Sequence, residues 1–449
     1  MITSLILALL TCHRSIMADS DSDSWVMADS DSWVMADSDS WVMADLESDD
    51  QEKMEVDFCL IKIEDDSESG AEESSDELPI LSFKSTPESP EAYARSPMLT
   101  NMKKEVRIED VLRDHVLHFL PAKTLCKFRT VSRGWDQWIS SPFFAHIQTT
   151  YFKNISGLFF QLPGEDPSFI SFNQDAYGMP DPSLKFLPEP VNIRTSCNGL
   201  LCCQSVGDNV YYICNPVTKQ WKMLPRPNMY HGAEAAMVLV FEPHPLNFNE
   251  TYELVCAVTF PDHPVVYFEI YSSRSSSWRV SDTICCELDC LDLLSGGYYM
   301  KGVVYWKASS GVILAFNLRN EQYGILPLPL SSREYGALTV MHGELCYILP
   351  CLIFDKYNIY IYGNMDMRLK TVLQFTCDDV GSTYGVCRAL PGANDDILML
   401  VLGTRVIAYH VREQKLEVIC TMTADSCTGY LPYVNSLVSV RDPMVGVSA

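Results

Sequence analysis

The chain has 449 residues, of which 47% are hydrophobic, so it is long enough for two or three domains with a sizeable core. Its formal net charge is −25, and the stretch from Met17 to Glu91 alone carries 24 acidic residues and three lysines. The sequence shows no basic face of the kind that meets nucleic-acid phosphates, which argues against a nucleic-acid binder. No later segment is long and apolar enough to span a bilayer, so no membrane partner is predicted.

The 17 cysteines are odd in number and lie in apolar runs such as Leu201-Cys202-Cys203, without any Cys-x-x-Cys. Cysteines in this setting pack as small apolar residues. They predict a reducing compartment, the nucleus or the cytoplasm. Cys285, Cys286 and Cys290 have no fourth ligand at zinc spacing, so neither a metal nor a cofactor is predicted.

Residues 1–104 are predicted to be a disordered, acidic, low-complexity region. An eight-residue unit, Met-Ala-Asp-Ser-Asp-Ser-Trp-Val, recurs between residues 17 and 45. Dense like charge and few apolar residues leave too little burial to offset the entropy of ordering. The apolar run Leu5–Leu10 lacks the preceding basic residue and the cleavage pattern of a signal peptide. Translation from Met1 and from Met17 both stay open.

A different composition follows the acidic region. Apolar residues at i, i+3 and i+4 predict an amphipathic helix from Ile108 to Leu120, which Pro121 ends. A second short helix is predicted over Ala122–Thr130. Ser132 is placed to cap a third helix, which Pro142 would stop. Three such helices form a very small core and leave apolar surface, so this unit is expected to need a partner.

The same residues carry a family resemblance. The pattern comprises Leu120-Pro121-Ala122-Lys123-Thr124-Leu125, Phe128-Arg129, Val131-Ser132, Trp135 and Ser140-Ser141-Pro142-Phe143. It resembles the F-box over residues 105–147, although Ile108-Glu109 stands where that motif usually opens with Leu-Pro. By this resemblance the segment binds a Skp-type adaptor, which links it to a cullin.

The resemblance also implies which residues contact the adaptor. They are the residues at the apolar positions of the motif: Ile108, Leu112, Leu117, Leu120, Pro121, Leu125 and Val131. The other interpretation, which stays open, is that several of them only hold the three helices together.

After Tyr151 the chain is β-rich, and one short pattern recurs. An apolar run ends in an aromatic residue or Cys, a turn residue follows, and a bulky apolar residue stands six positions later. The copies are Cys214-Asn215 with Trp221, Tyr271-Ser272 with Trp278, Phe316-Asn317 with Tyr323, Tyr362-Gly363 with Leu369, Tyr409-His410 with Leu416 and, more faintly, Phe172-Asn173 with Met179. From residue 173 the turn residues lie 42, 57, 45, 46 and 47 residues apart.

This spacing is typical of β-propellers. Each copy is interpreted as the hairpin that joins the two outer strands of a blade, with the bulky residue packed against the neighbouring blade. Six copies predict about six blades, with five or seven left open. Further strands are predicted at Asn198–Cys203, Ala236–Phe241, Glu253–Phe260, Gly302–Lys307, Glu344–Leu349 and Asp396–Leu402.

The final run Leu431–Val440 is predicted to close the ring by completing the first blade, because closure removes exposed sheet edges. The predicted propeller domain covers residues 151–442. Within it, Asn198–Cys202 followed by Cys214–Pro225 resembles the F-box-associated kelch region of plant F-box proteins. The kelch diglycine is absent apart from a trace at Gly296-Gly297, so the repeat is called kelch-like.

Together these features predict an α+β multidomain chain: a disordered acidic N-terminus, a small three-helix F-box and an all-β kelch-like propeller. The resemblance implies a non-catalytic substrate-recognition subunit of a Skp–cullin–F-box ubiquitin ligase, whose propeller binds the protein to be ubiquitinated. The sequence has no hydrolase, metalloprotease, P-loop or dinucleotide motif. One alternative is a non-proteolytic scaffold that binds a Skp-type adaptor. A more distant one is a propeller oxidase, which would need copper ligands and an oxidising compartment.

Overall fold

The computed structural model describes residues 108–173, 177–207, 209–232, 236–243, 251–260, 263–287, 293–329, 335–381, 385–391, 396–422 and 429–440. The predicted disordered region, residues 1–104, lies outside the described residues. So do the predicted domain ends at residues 105 and 442.

Four α-helices come first: α1 (Ile108–His115), α2 (Ala122–Phe128), α3 (Arg133–Ile139) and α4 (Pro142–Tyr151). The first predicted helix is shorter than expected, because the helix ends at His115 and a 3₁₀ turn, Leu117–Phe119, continues the chain. Pro142 does lie beyond the end of α3. It also begins a fourth helix that the sequence analysis did not predict.

The rest of the described chain forms six antiparallel sheets, the blades of a propeller. Blade 1 contains β1 (Gly157–Phe160), β2 (Ser168–Ser171) and β23 (Tyr430–Tyr433). Blade 2 contains β3 (Val191–Cys197), β4 (Leu200–Ser205), β5 (Tyr211–Asn215) and β6 (Gln220–Met223). Blade 3 contains β7 (Ala236–Val240), β8 (Glu253–Phe260), β9 (His263–Ser272) and β10 (Ser277–Cys285). Blade 4 contains β11 (Leu293–Met300), β12 (Val303–Ala308), β13 (Val312–Asn317) and β14 (Gln322–Pro327). Blade 5 contains β15 (Ala337–Met341), β16 (Glu344–Ile353), β17 (Lys356–Gly363) and β18 (Arg368–Thr376). Blade 6 contains β19 (Cys387–Ala389), β20 (Ile397–Leu402), β21 (Arg405–His410) and β22 (Lys415–Thr421).

The prediction of about six blades is confirmed, and the ring closes as predicted. β23, near the end of the chain, pairs with β1, which directly follows the helices, with Gly157 opposite Tyr433. Blade 1 therefore combines the two ends of the propeller sequence. Blade 1, completed in this way, packs face to face against blade 6 and buries the apolar residues between them.

The apolar core is divided among the six junctions between neighbouring blades. Each junction holds one cluster of buried residues, drawn from the facing sides of two sheets. Strands such as β4, β5 and β7 are buried along their whole length because both of their faces meet another blade. This explains why they read as continuous apolar runs instead of alternating ones.

The recurring hairpin pattern is confirmed in blades 2 to 6. In each, the residue before the turn lies directly opposite the bulky residue: Cys214 with Trp221, Tyr271 with Trp278, Phe316 with Tyr323, Tyr362 with Leu369 and Tyr409 with Leu416. Packing at a blade junction holds for Trp278, Tyr323 and Leu416. It does not hold for Trp221 or Leu369, both of which are exposed.

The faint sixth copy of the pattern is not a hairpin. Phe172 directly follows β2, which is the outermost strand of the three in blade 1. The segment that continues from there packs Leu184 and Leu187 into the junction between blades 1 and 2. Among the described residues, blade 1 therefore has three strands, one of which comes from the end of the propeller sequence.

The two ends of the blades can be told apart by the helices. The turns between first and second strands and between third and fourth strands lie at one end, since neighbouring strands are antiparallel. Helix α4 contacts the connection between β7 and β8 at Phe241 and Pro243, which belongs to that same end. We call this end of the propeller the helix side and the other the opposite side.

Candidate functional site

The four helices enclose a small apolar core. Its buried residues come from the 3₁₀ turn and every helix after α1: Leu117, Leu120, Ala122, Leu125, Phe128, Ile139, Phe144 and Ala145. In α2 the spacing of Ala122, Leu125 and Phe128 places all three on one helix face, as i, i+3 periodicity requires. The core is too small to bury both faces of any helix.

Side-chain caps set where the last two helices begin. Ser132 Oγ accepts a hydrogen bond from the backbone N–H of Trp135 at 3.2 Å, and Ser141 Oγ accepts one from Phe144 at 3.2 Å. The cap predicted at Ser132 is confirmed. Pro142 occupies the first position of α4, where a missing N–H costs no helical hydrogen bond. The chain can therefore turn sharply between α3 and α4.

Two polar contacts tie the helices together. Gln148 Nε2 in α4 donates to the backbone oxygen of Leu120 at 3.2 Å, in a buried position. On the outside, Arg129 Nε lies 2.7 Å from Asp136 Oδ1, and this hydrogen bond lowers the pKa of Asp136. The buried contact holds α4 against the turn that precedes Pro121.

The residues predicted to contact an adaptor fall into separate groups in the structure. Leu117, Leu120, Pro121 and Leu125 are buried within the helices. Leu112 is half-buried, and Val131 is 52% exposed. Ile108 begins α1, and its side chain lies outside the described structure. The structure thus brings the predicted residues into one small unit but leaves only some of them accessible to a partner.

Other large apolar side chains of the helical unit, which were not among the predicted adaptor contacts, are also exposed. Together with Val131 we call these exposed residues the helical apolar surface: Val111, Phe119, Val131, Phe143 and Tyr151. Exposed apolar side chains concentrated on so small a unit are typical of a protein–protein contact.

An aromatic group forms one edge of this surface. The His118 ring lies 4.2 Å from Phe119 and 4.7 Å from Tyr151, measured between centroids. Burial lowers the pKa of His118, and neighbouring His115 lowers it further. A neutral imidazole packed on two aromatic rings makes this edge apolar.

The propeller covers only one side of the helical unit. Thr150 Oγ1 in α4 donates to the backbone oxygen of Pro243 at 3.4 Å, and the His146 ring lies 5.9 Å from Phe241. Phe152 packs edge-on against Tyr177 at 5.9 Å. The side chain of Lys123 in α2 also lies close to Gly178. None of these described contacts involves a residue of the helical apolar surface.

The described part of the chain lacks the features of a metal site and of a membrane-spanning helix. It holds no group of three His, Cys, Asp or Glu side chains placed to bind a metal ion. Of the three cysteines considered above, Cys285 is buried and Cys286 exposed, while Cys290 lies outside the described residues. None of the described helices is long and apolar enough to cross a membrane.

The propeller part of the chain matches a known protein family. A family model described as "F-box associated beta propeller domain" matches residues 170–440, from β2 to the end of the described ring. This chain belongs to that family.

Its relatives are F-box proteins of Arabidopsis thaliana. F-box protein At5g03970 is 30% identical over 340 residues, which cover 68% of this chain and 81% of that protein. F-box protein At5g07610 is 30% identical over 250 residues, covering 51% of this chain and 58% of the relative. Putative F-box/kelch-repeat protein At3g17540 is 24% identical, covering 60% and 70% respectively. The resemblance to plant F-box and kelch-repeat proteins, predicted from the residues, is confirmed.

The propeller of this F-box protein contains a buried polar cluster that sequence reasoning missed. Glu269 on β9 accepts hydrogen bonds from the backbone N–H groups of Asn228 and Met229 at 2.7 and 3.1 Å. Its Oε2 also lies 2.7 Å from Nε2 of His231, whose Nδ1 lies 2.9 Å from the hydroxyl of Tyr211. The cluster joins blades 2 and 3 and holds the loop between them.

The electrostatics of this cluster favour an ionised carboxylate. Burial alone would raise the pKa of Glu269, but the hydrogen bonds from His231, Asn228 and Met229 outweigh it and lower that pKa. No motif in the sequence could reveal this cluster, since its members lie in different blades.

A second exposed apolar feature lies on the opposite side of the F-box protein's propeller. The hairpin of β16 and β17 runs beyond β15, which pairs only as far as Ile348. The side chains of Leu352, Ile353 and Phe354 at its tip are exposed to solvent, and that of Phe354 is 95% exposed. The helical apolar surface and this tip thus lie at different ends of the blades.

Proposed function

We propose that this F-box protein is the substrate-recognition subunit of a Skp–cullin–F-box ubiquitin ligase. The helical unit binds a Skp-type adaptor, through which a cullin is joined, and the propeller binds the protein to be ubiquitinated. The protein itself supplies no reacting group in this proposal, and its place of action is the nucleus, the cytoplasm or both. Its contribution is proximity, which raises the effective concentration of the target near the reactive thioester.

The observation that carries this proposal is the helical apolar surface. Five large apolar side chains are exposed on a unit of four short helices, and the propeller covers a different side of that unit. Leaving such surface in water is unfavourable, and burial against a partner would remove the cost. The family relationship supports the same partner, because the relatives are F-box proteins.

Within this surface, the accessible residues are proposed as direct contacts. Val131, which the F-box resemblance pointed to, is joined by Val111 on α1. Leu112 is half-buried and lies at the border of the surface. We assign the buried residues Leu117, Leu120, Pro121 and Leu125 the supporting role of holding the exposed ones in place, while the role of Ile108 as a contact stays a prediction.

The test is co-purification of the full chain with a Skp-type adaptor and cullin. Val111→Asp combined with Val131→Asp is expected to abolish adaptor capture, since charges enter an apolar contact. The matched control is Val280→Asp with Val418→Asp, because these valines are equally exposed but lie on the outer strands of blades 3 and 6. Adaptor capture that survives the first double variant with the helices folded contradicts the proposal.

A second measurement separates a receptor from a scaffold. Proteins that co-purify with the propeller are compared with and without proteasome inhibition, in wild type and in the Val111/Val131 double variant. A receptor predicts at least one partner that accumulates on inhibition, carries ubiquitin, and loses it in the variant. Adaptor capture without any ubiquitinated partner would favour a non-proteolytic scaffold instead.

A further inference from the structure

Four basic side chains lie together on the turns of blades 4 and 5. Lys301 is in the β11–β12 turn, Arg319 in the β13–β14 turn, His342 in the β15–β16 turn, and Lys370 on β18. All three turns lie at the helix side. We call these four residues the basic cluster.

Backbone geometry brings the members of the cluster close to one another. Lys301-Gly302 and His342-Gly343 are two-residue turns with positive φ at both positions, 49° and 85° in one and 51° and 72° in the other. That conformation is the one that favours glycine second in a tight hairpin turn. The side chain of Lys301 lies beside the second turn, since a Cβ atom built on Gly343 would be 4.0 Å from Lys301 Nζ. In the same way, a Cβ atom built on Gly302 would be 3.8 Å from Arg319 Nε.

The cluster carries more positive charge than its surroundings neutralise. Glu344, next to His342 and Gly343 in sequence, pairs with Lys370. Lys370 lowers the pKa of Glu344, and Lys301 and His342 contribute in the same direction. Among the described residues, neither Lys301 nor Arg319 has an ion-pair partner.

The nearby acidic residues have partners outside the cluster. Glu242, close to the β11–β12 turn, accepts a hydrogen bond from the hydroxyl of Tyr299 at 2.5 Å. Glu321 pairs with Arg279 at 2.6 Å, and Asp366 pairs with Arg368 at 2.5 Å. Lys301 and Arg319 therefore remain as cations without an ion-pair partner among the described residues. Both would attract a ligand of negative charge, so together they point to an anionic ligand.

The position of the cluster suits a target held beside the adaptor. The described contacts between helices and propeller lie at Tyr177 and Gly178 after β2, and at Phe241 and Pro243 in blade 3. Blades 4 and 5 belong to the same end of the ring but not to these contacts. A ligand bound there would therefore be on the side of the propeller that faces the ligase.

We infer that the basic cluster binds a segment rich in Asp and Glu on the protein that this receptor recruits. The inference rests on the proposed receptor function and adds the chemistry and location of target binding. A nucleic acid fits less well, because the cluster would neutralise only a few phosphates. An acidic peptide needs only a short patch of cations.

The test uses the full chain and a fluorescein-labelled peptide of about twelve residues that alternates Asp or Glu with Ser, read by anisotropy. We expect binding that weakens several-fold between about 50 and 200 mM salt. Lys301→Glu with Arg319→Glu is expected to raise Kd by about tenfold, since two attractive charges become repulsive.

The matched control is Lys219→Glu with Lys415→Glu. These lysines lie on exposed hairpin turns at the same side, on blades 2 and 6, and their substitution changes the net charge equally. Equal loss of binding in both double variants would reduce the effect to net charge and overturn the inference. Absence of peptide binding, or tighter binding of an RNA of equal length, would overturn it too.

Adaptor capture by the Lys301/Arg319 variant separates this inference from the receptor proposal. The expected result is full adaptor capture with loss of the acidic peptide. Peptide binding by a chain that fails to capture any adaptor, even as wild type, would contradict the receptor function while leaving the basic cluster as a binding site.

Discussion

Glu269 and His231 form a fully buried pair, with Oε2 and Nε2 2.7 Å apart, at the junction between blades 2 and 3. Trp278 packs edge-on against the imidazole at 5.4 Å and donates from Nε1 to the backbone oxygen of Pro225 at 2.7 Å. Every one of these contacts reaches into the loop between the two blades. The pair therefore fixes a loop that would otherwise be held only by its ends.

Replacing Glu269 with Gln is expected to destabilise the propeller by about 3 kcal/mol, because a buried charged partner is removed and backbone N–H groups lose their acceptor. Denaturant unfolding monitored by tryptophan fluorescence measures the change. Glu413→Gln, at an exposed turn of blade 6, serves as the control and should leave the midpoint unchanged. A Glu269→Gln protein as stable as wild type would contradict this account.

The same carboxylate predicts a pH dependence. The pKa of Glu269 is lowered from its usual value of 4.5, so ionisation favours the folded state above that value. This contribution is lost as the pH falls through the depressed pKa. The stability difference between wild type and Glu269→Gln should therefore be constant near neutral pH and shrink on acidification below about pH 4. A difference that grows with acidity would contradict the sign.

Ring closure depends on Asn215, which is buried at the end of β5. Its Nδ2 donates to the backbone oxygens of Ser436 and Val438 at 3.0 and 2.6 Å, and its Oδ1 accepts from Val217 at 2.9 Å. Asn215→Ala should cost about 2–4 kcal/mol, because two buried carbonyls lose their donor. Hydrogen exchange is expected to show the loss first in residues 430–440.

Asn317 provides the comparison for Asn215. It occupies the matching position of blade 4, but its Oδ1 only accepts from Arg319 at 2.9 Å within the same turn. Asn317→Ala should therefore change stability by about 1 kcal/mol or less. Equal effects of the two substitutions would show that Asn215 acts only as a turn residue.

Much of the propeller could be predicted because its hairpins are local. Seven residues separate Tyr271 from Trp278, so one turn determines their pairing. Blade closure was predictable from the need to remove edges. The longest spacing between successive turn residues, 57 residues from Asn215 to Ser272, includes the long connection between β7 and β8. The sequence alone could not distinguish that connection from an extra strand.

The polar clusters could not be predicted, because their members meet only in the folded ring. Asn215 and Ser436 are separated by 221 positions, and Glu269 on β9 and His231 in the loop between blades 2 and 3 are separated by 38. The helical unit was predicted in part. Its motif identified the residues, but only the structure separated buried Leu125 from exposed Val131, since apolar periodicity does not tell an inner face from a binding face.

Phe354 carries backbone strain at the tip of the β16–β17 hairpin. It is the first residue of a two-residue turn and has φ of 55°, where glycine is favoured and a bulky side chain is not. Its ring contributes no burial that offsets this cost. Phe354→Gly should therefore raise the free energy of unfolding by about 1 kcal/mol. Phe354→Leu, which keeps a Cβ, should not, and equal gains for both would exclude strain as the cause.

The last prediction separates support from contact within the helices. Leu125 is fully buried, so Leu125→Ala leaves a cavity and should destabilise the helical unit by about 2–5 kcal/mol. Adaptor capture should fall together with hydrogen-exchange protection of residues 117–148, while β16 and β17 keep theirs. Val131→Asp should lose capture with protection unchanged, since its side chain supports nothing inside. If Leu125→Ala keeps full protection and still loses the adaptor, Leu125 must itself reach the partner, and the helices must open to bind it.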